Sequence, residues 1–206
     1  CVGEGACTLP APRESRDLGR AAGISHLLGD LRGLPHDFRS MGTAPIRRRQ
    51  RLPAFDYSSP NAYFVTICVR GMRGLFGRVS EGRVDLSPLG LCVLAQLRTL
   101  PQWFPTVLLD AHVVMPNHLH AIVVLRAAEP DTRAVTVPDV VRRLKAASSL
   151  RVAELLATGT LQVDPRPLWQ RSFHDRVIRN DKELAALREY IELNPLQWHL
   201  DRLNRE

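Results

Sequence analysis

The segment His118-Leu119-His120 holds the residue types best suited to chemistry in this sequence. In an extended strand, side chains two apart leave the same face, so both imidazoles project together while Leu119 points the other way. Two imidazoles side by side beyond a Pro-Asn turn offer half of a divalent-metal site, or a pair of buried, hydrogen-bonded histidines. A metal needs further donors. His112 precedes the turn and is one candidate. Tyr190 and Asn194 are another, because residues four apart share a helix face. An amide oxygen suits magnesium or manganese. A phenol beside such an ion is a potential nucleophile, since its ordinary pKa near 10 keeps it neutral without help. The structural alternative for Tyr190 is core packing beside Leu187 and Ile191. Arg142, Lys145 and Ser149 recur at i, i+3 and i+7, with Arg143 alongside. They form either a phosphate-contact face or an ordinary solvated helix face.

Positioning these residues needs a strand, a turn, a second strand and a helix, and the sequence supplies all four. Val107–Val114 and Leu119–Leu125 are apolar runs joined by Met115-Pro116-Asn117, predicting an antiparallel hairpin at the centre of a sheet. Ala62–Val69 is rich in aromatic and β-branched residues and predicts another strand. Leu75–Val79 and Arg83–Leu86 predict a short hairpin. Ser87-Pro88 opens a helix to about Leu100, with Leu91, Leu94 and Leu97 or Ala95 expected inside. Val137-Pro138-Asp139 starts a helix to about Leu156, expected to bury Val141, Leu144, Ala147 and Leu155. A short strand is expected within Leu168–Ile178. Asn180 or Asp181 caps a last helix, Lys182–Asn194, with Leu184, Leu187 and Ile191 inside. Pro195 disfavours helical dihedrals at Asn194. This order predicts a single α+β domain with a central antiparallel sheet and helices packed on one face.

The 206 residues are 45% hydrophobic and 24% charged, as in ordinary globular chains. No apolar run is long enough to span a bilayer as a helix. Four cysteines without a CxxC pair argue against a disulfide scaffold and a structural zinc site. No signal-like segment opens the sequence, which makes the cytoplasm the default. The net charge is +7, and of 28 basic residues only Lys145 and Lys182 are lysine. Residues 1–40 carry five Arg and five acids, so the whole excess lies in 41–206. A basic cluster, Arg47, Arg48 and Arg49 with Arg51, stands ahead of the first strand. Arginine in excess suits a polyanion, because its fork matches phosphate. Residues 1–40 are predicted to be poorly ordered or an extension ahead of a start near Met41. The domain is then 41–206.

Val113-Val114-Met115-Pro116-Asn117-His118-Leu119-His120 resembles the signature of the single-tyrosine HUH transposases, in which two histidines flank a bulky apolar residue. Tyr190-Ile191-Glu192-Leu193-Asn194-Pro195 resembles the catalytic helix of the REP-associated tyrosine transposases within that group. Arg51 to Ser58 with Ala62 to Cys68, Leu144-Lys145-Ala146, and Leu168 to Asp175 are similar to further segments of the family. The resemblance spans about residues 47–198.

The resemblance implies a ferredoxin-like fold and roles for particular residues. His118, His120 and Asn194 would hold a divalent ion, Mg2+ or Mn2+. Tyr190 would be the nucleophile. Arg47, Arg48, Arg49, Arg142, Arg143 and Lys145 would contact DNA, and Tyr63, Trp169 and Phe173 would stack on unpaired bases or pack in the core. Many relatives have His where this chain has Arg176, a departure that weakens a metal or proton-transfer role for that segment. The implied activity is cleavage and rejoining of single-stranded or hairpin DNA through a 5′-phosphotyrosine. The implied location is the cytoplasm, with the nucleoid, as a monomer or homodimer. Two other readings compete: a hairpin-DNA-binding protein that no longer transposes, and a metal hydrolase using His112, His118 and His120.

Overall fold

The structure is a computed structural model that describes residues 59–128 and 133–204, all of them within one compact unit, Arg48–Glu206. The expectations for residues 1–40, Arg47, Arg48, Arg49 and Arg51 lie outside the described residues. Four antiparallel strands form the main sheet in the order β4-β5-β1-β6: β1 is Asn61–Cys68, β4 Val107–Val114, β5 His118–Leu125 and β6 His174–Ile178. The short hairpin of β2 (Gly77–Ser80) and β3 (Arg83–Leu86) stands apart as a second sheet.

Alternation in β1 and β5 sorts the molecule into layers. Tyr63, Val65 and Ile67, with Leu119, Ala121, Val123 and Leu125, enter the larger core. That core is closed by α1 (Pro88–Arg98), α2 (Leu100–Trp103) and α3 (Val137–Ala157). Phe64 and Ile122 face the other way, against Leu187 and Ile191 of α4 (Asp181–Leu193). The α+β class and the antiparallel sheet match expectation, as does the single layer of the first three helices. The fourth helix adds a layer on the opposite face. Period-2 patterning reveals that a strand is covered on both faces, but not which helix covers each.

The β4–β5 hairpin is not central. β4 is an edge strand, with a bulge between Leu109 and His112, and β1 lies between β5 and β6. Asp110 and His112 interrupt the apolar run of β4, as suits an edge. In α1 the buried residues are Leu89, Gly90, Val93 and Leu97, while Leu91 is exposed. Leu97 is inside as expected and Leu94 is partly covered, so the apolar side is turned by about a quarter of a turn, toward Leu89 and Val93. The cause is a close approach: a Cβ on Gly90 would meet the Phe76 carbonyl oxygen at 2.0 Å. Only glycine lets the helix sit on that backbone, and this sets which side faces inward. In α3, Ser148 and Val152 are buried with Val141 and Leu144, while Ala147 and Leu155 are only partly covered.

The caps at Ser87 and Asn180 fall where the sequence puts them. The Ser87 hydroxyl accepts from the Gly90 N–H (3.1 Å), and the Asn180 side chain accepts from the Glu183 N–H (2.9 Å). Thr136 and Asp139 form a reciprocal capping box at the start of α3. Two ion pairs hold α4 across the sheet: Arg176 of β6 with Glu183, and Arg188 with Asp110 of β4 (2.9 Å). Arg176 is therefore a tether for the helix.

Candidate active site

The turn before β5 is tied down by backbone hydrogen bonds. Val69 N–H donates to the Asn117 carbonyl (2.8 Å), Phe76 N–H to Pro116 (2.9 Å) and Met115 N–H to His118 (2.8 Å). His118 and His120 then leave the α4 face of β5, opposite Cys68 and Thr66 of β1. Both imidazoles are fully buried, and their Nε2 atoms are 3.0 Å apart. Burial pushes the Cys68 thiol up to about 11.

Asn117 settles the state of the first histidine. Its Nδ2 donates to the Leu203 carbonyl (2.6 Å) and, at 3.4 Å, to that of Met72, which orients the amide. Its Oδ1 can then only accept, so His118 Nδ1, 2.8 Å away, carries the proton. His118 Nε2 is left as a bare lone pair directed at His120. The Thr66 hydroxyl lies 2.8 Å from His120 Nδ1 and can donate or accept there. Burial lowers His118 to about 3 and holds His120 well below the ordinary range, so both are neutral at physiological pH.

Helix α4 brings the phenol and the amide. The Tyr190 hydroxyl is 3.4 Å from His120 Nε2, and Phe64 stacks on His120 beneath them, with ring centroids 5.1 Å apart. Burial raises the Tyr190 pKa. The Asp201 carboxylate adds to the rise, and contact with the Asn194 side chain opposes it. Asn194 ends α4 as expected, but with helical dihedrals (φ −55°, ψ −42°), contrary to the bias of a following proline. The chain continues turning beyond it, where Gln197 N–H reaches the Leu193 carbonyl (3.1 Å), and this outweighs the proline preference. Asn194 is 2% exposed, and its Oδ1 is buried without a hydrogen-bond partner.

Sequence reasoning missed Asp201. The segment after α4 folds back, Trp198 lies tilted against His118 (centroids 6.0 Å), and Asp201 enters the site. Its Oδ2 is 3.1 Å from Asn194 Nδ2 and 3.9 Å from His118 Nε2. A lone acid downstream of a proline carries no local signal. Thr66 and Asn117 were visible only as strand and turn residues.

These donors fit a divalent cation. A bare imidazole nitrogen points at a second imidazole, a buried amide oxygen lacks a partner, and a carboxylate stands beside them. His118, His120 and Asp201 each offer an atom within 4.8 Å of the others. Imidazole and oxygen donors together suit a hard or borderline ion. All four side chains, with Tyr190, come from one chain.

The other predicted residues are not among these donors. His112 pairs in register with Ala121, whose side chain enters the larger core, so His112 is on the face away from the imidazole pair. This removes the His112, His118 and His120 triad. Tyr63 and Trp169 are core residues, and the indole N–H donates to the Ser148 hydroxyl (2.9 Å). Phe173 is partly buried against the larger core. The Lys145 ammonium donates to the carbonyls of Gln170 (2.7 Å), Ser172 (3.0 Å) and Arg171 (3.4 Å), and burial lowers its pKa to about 8. Its nitrogen thus anchors the segment leading to β6. Arg142 is exposed and paired with Asp139, and Arg143 lies over the exposed Trp103 ring, 3.5 Å from its centroid. Ser149 is half-buried.

The four-stranded antiparallel sheet with its flanking helices is similar in fold to a REP-associated tyrosine transposase. The solved structure of such a transposase bound to a REP hairpin aligns with 74% of this chain and 76% of its own, at a TM-score of 0.51 and 21% identity. The chain belongs to the same family as an uncharacterized protein of Haemophilus influenzae, to which it is 31% identical over 173 residues, 76% of this chain and 92% of that one. No family model matches the sequence. Among the described residues no helix is long and apolar enough to cross a membrane.

Proposed function

We propose that this protein is a single-tyrosine HUH transposase that cleaves and rejoins single-stranded or hairpin DNA through a 5′-phosphotyrosine on Tyr190. The observation that carries the reading is the meeting of the Tyr190 hydroxyl with His120 Nε2 at 3.4 Å, beside the partnerless Asn194 Oδ1. His118, His120 and Asn194 would hold Mg2+ or Mn2+. When bound, the ion supplies positive charge that polarises the scissile phosphate and favours ionisation of the phenol.

The chain's own residues do the rest. Phe64 and the sheet hold the phenol ring so that its oxygen faces the imidazole pair. Tyr190 Oη forms the new bond to phosphorus and its proton passes to solvent. The 3′-oxygen departs on the opposite side and takes up a proton. Attack by a 3′-hydroxyl reverses the step, so rejoining needs no other energy source. Arg142 and Arg143, with the basic cluster Arg47 to Arg49, would contact the DNA backbone. Binding should then weaken steeply with salt. Action on chromosomal DNA would place the protein with the nucleoid. The neighbour solved with a REP hairpin supports hairpin DNA as the substrate class.

The test is covalent trapping. Purified protein, Mn2+ and oligonucleotides spanning hairpins flanking the gene should give an adduct stable on a denaturing gel. Tyr190→Phe should retain the fold and DNA affinity and lose the adduct. An adduct that persists in Tyr190→Phe moves the nucleophile elsewhere. Binding without any adduct favours a DNA-binding protein that no longer transposes.

A further inference from the structure

Asp201 is a buried acid in the site to which the proposed function gives no role. Its side chain is only 6% exposed. Oδ1 accepts from the Leu203 N–H (2.8 Å) and Oδ2 from Asn194 Nδ2 (3.1 Å). Its Oδ2 also lies 3.9 Å from His118 Nε2, the ring nitrogen left without a proton by the Nδ1 bond to Asn117. A buried carboxylate is costly unless a positive charge answers it.

The segment is also held firmly. Asn117 Nδ2 donates to the Leu203 carbonyl (2.6 Å), and the buried Trp198 lies against His118. The residue that sets the His118 tautomer therefore also anchors the stretch that delivers Asp201. Two donors about 2.1 Å from one ion can be at most about 4.2 Å apart. Both the 3.9 Å between Asp201 Oδ2 and His118 Nε2 and the 3.0 Å between the two imidazole nitrogens satisfy that limit. The bond from Asn194 Nδ2 turns the amide so that Oδ1 is its free atom.

We infer that Asp201 is a carboxylate ligand of the divalent ion, making the set His118, His120, Asn194 and Asp201. This rests on the metal-dependent reading above and extends it. One anionic donor lowers the charge of the filled site from +2 to +1. The ion can then be held before DNA arrives, whereas a neutral donor set would rely on the scissile phosphate to retain it.

The experiment is calorimetric titration of the metal-free, DNA-free protein with Mn2+ alone. Asp201→Asn keeps the side-chain volume and an acceptor for Asn194, and should lower Mn2+ affinity at least ten-fold. Asp201→Glu keeps the charge and should retain more affinity than Asp201→Asn. It is also the variant to read should Asp201→Asn melt early. The same comparison in an Asn194→Ala background separates ligation from orientation: a ligand still costs at least ten-fold there, whereas a residue that only turns the amide costs nothing further. Wild-type affinity in Asp201→Asn, or a loss that vanishes in the Asn194→Ala background, overturns the inference and leaves the histidine site standing. Failure of the wild-type protein to bind Mn2+ overturns the metal-dependent reading, and this inference with it.

Discussion

Replacing Asn117 with alanine should damage stability and metal affinity together, and by separable routes. The side chain is 2% exposed and makes three contacts: to His118 Nδ1 (2.8 Å), the Leu203 carbonyl (2.6 Å) and the Met72 carbonyl (3.4 Å). A buried group left without its partner costs about 1–3 kcal/mol, and Asn117→Ala strands two, the imidazole N–H and the Leu203 carbonyl. The long bond to Met72 adds little. The expected loss is about 2–6 kcal/mol. For a domain of this size each kcal/mol lowers the melting temperature by about 2–4 °C, which predicts a fall of roughly 4–24 °C. The second effect is on His118. Without the Oδ1 acceptor the imidazole is free to change tautomer and tilt, and loss of such an orienting partner typically costs about 10–100-fold in metal affinity. Scanning calorimetry reads the first effect and Mn2+ titration the second. Asn117→Asp is the control, because a carboxylate still accepts from His118 Nδ1 but cannot donate to Leu203. It should melt early yet hold Mn2+ better than Asn117→Ala. Unchanged Mn2+ affinity in a destabilised Asn117→Ala would refute the argument that this amide orients the imidazole.

Two further outcomes follow from buried contacts. The metal-free protein should lose stability on mild acidification: His118 has its pKa lowered from 6.5 to about 3 by burial, and His120 is lowered as well. Between those values the unfolded chain binds protons that the folded chain does not, so stability is full above about pH 6.5 and falls steadily towards pH 3. Urea midpoints at pH 7 and pH 5 check this, and equal midpoints with equal slopes would show that the imidazoles are not buried in the neutral form. Gly90→Ala should destabilise although alanine is the better helix former by about 1 kcal/mol, because its Cβ would meet the Phe76 carbonyl at 2.0 Å. Overpacking of this kind costs about 1–3 kcal/mol or more, and a melting temperature above that of the wild type would refute the contact.

Several features were readable from local physics alone. The i, i+2 spacing of His118 and His120 places both imidazoles on one face wherever that strand sits, because strand geometry has period two. Ser87-Pro88, Val137-Pro138-Asp139 and Asn180 mark helix starts because capping side chains and a first-turn proline act on neighbouring atoms. The four-residue spacing of Tyr190 and Asn194 puts them on adjoining turns of α4 in the same way. Other features depend on which distant surfaces meet. The same period that pairs the histidines does not say that α4 covers their face while α1 to α3 cover the other. His112 fell on the wrong face because the bulge in β4 and its register with Ala121 are settled by the partner strand. The inward side of α1 turned on one backbone contact at Gly90, which no periodicity records. Lys145 looked like a free cation on a helix face until three carbonyls from a segment 25 residues onward closed over it. Asp201 became part of the site only because the chain beyond Pro195 folds back along Asn117 and His118. Residue spacing determines what one element presents; the identity of the groups it meets is a long-range property, and only the packed structure decides it.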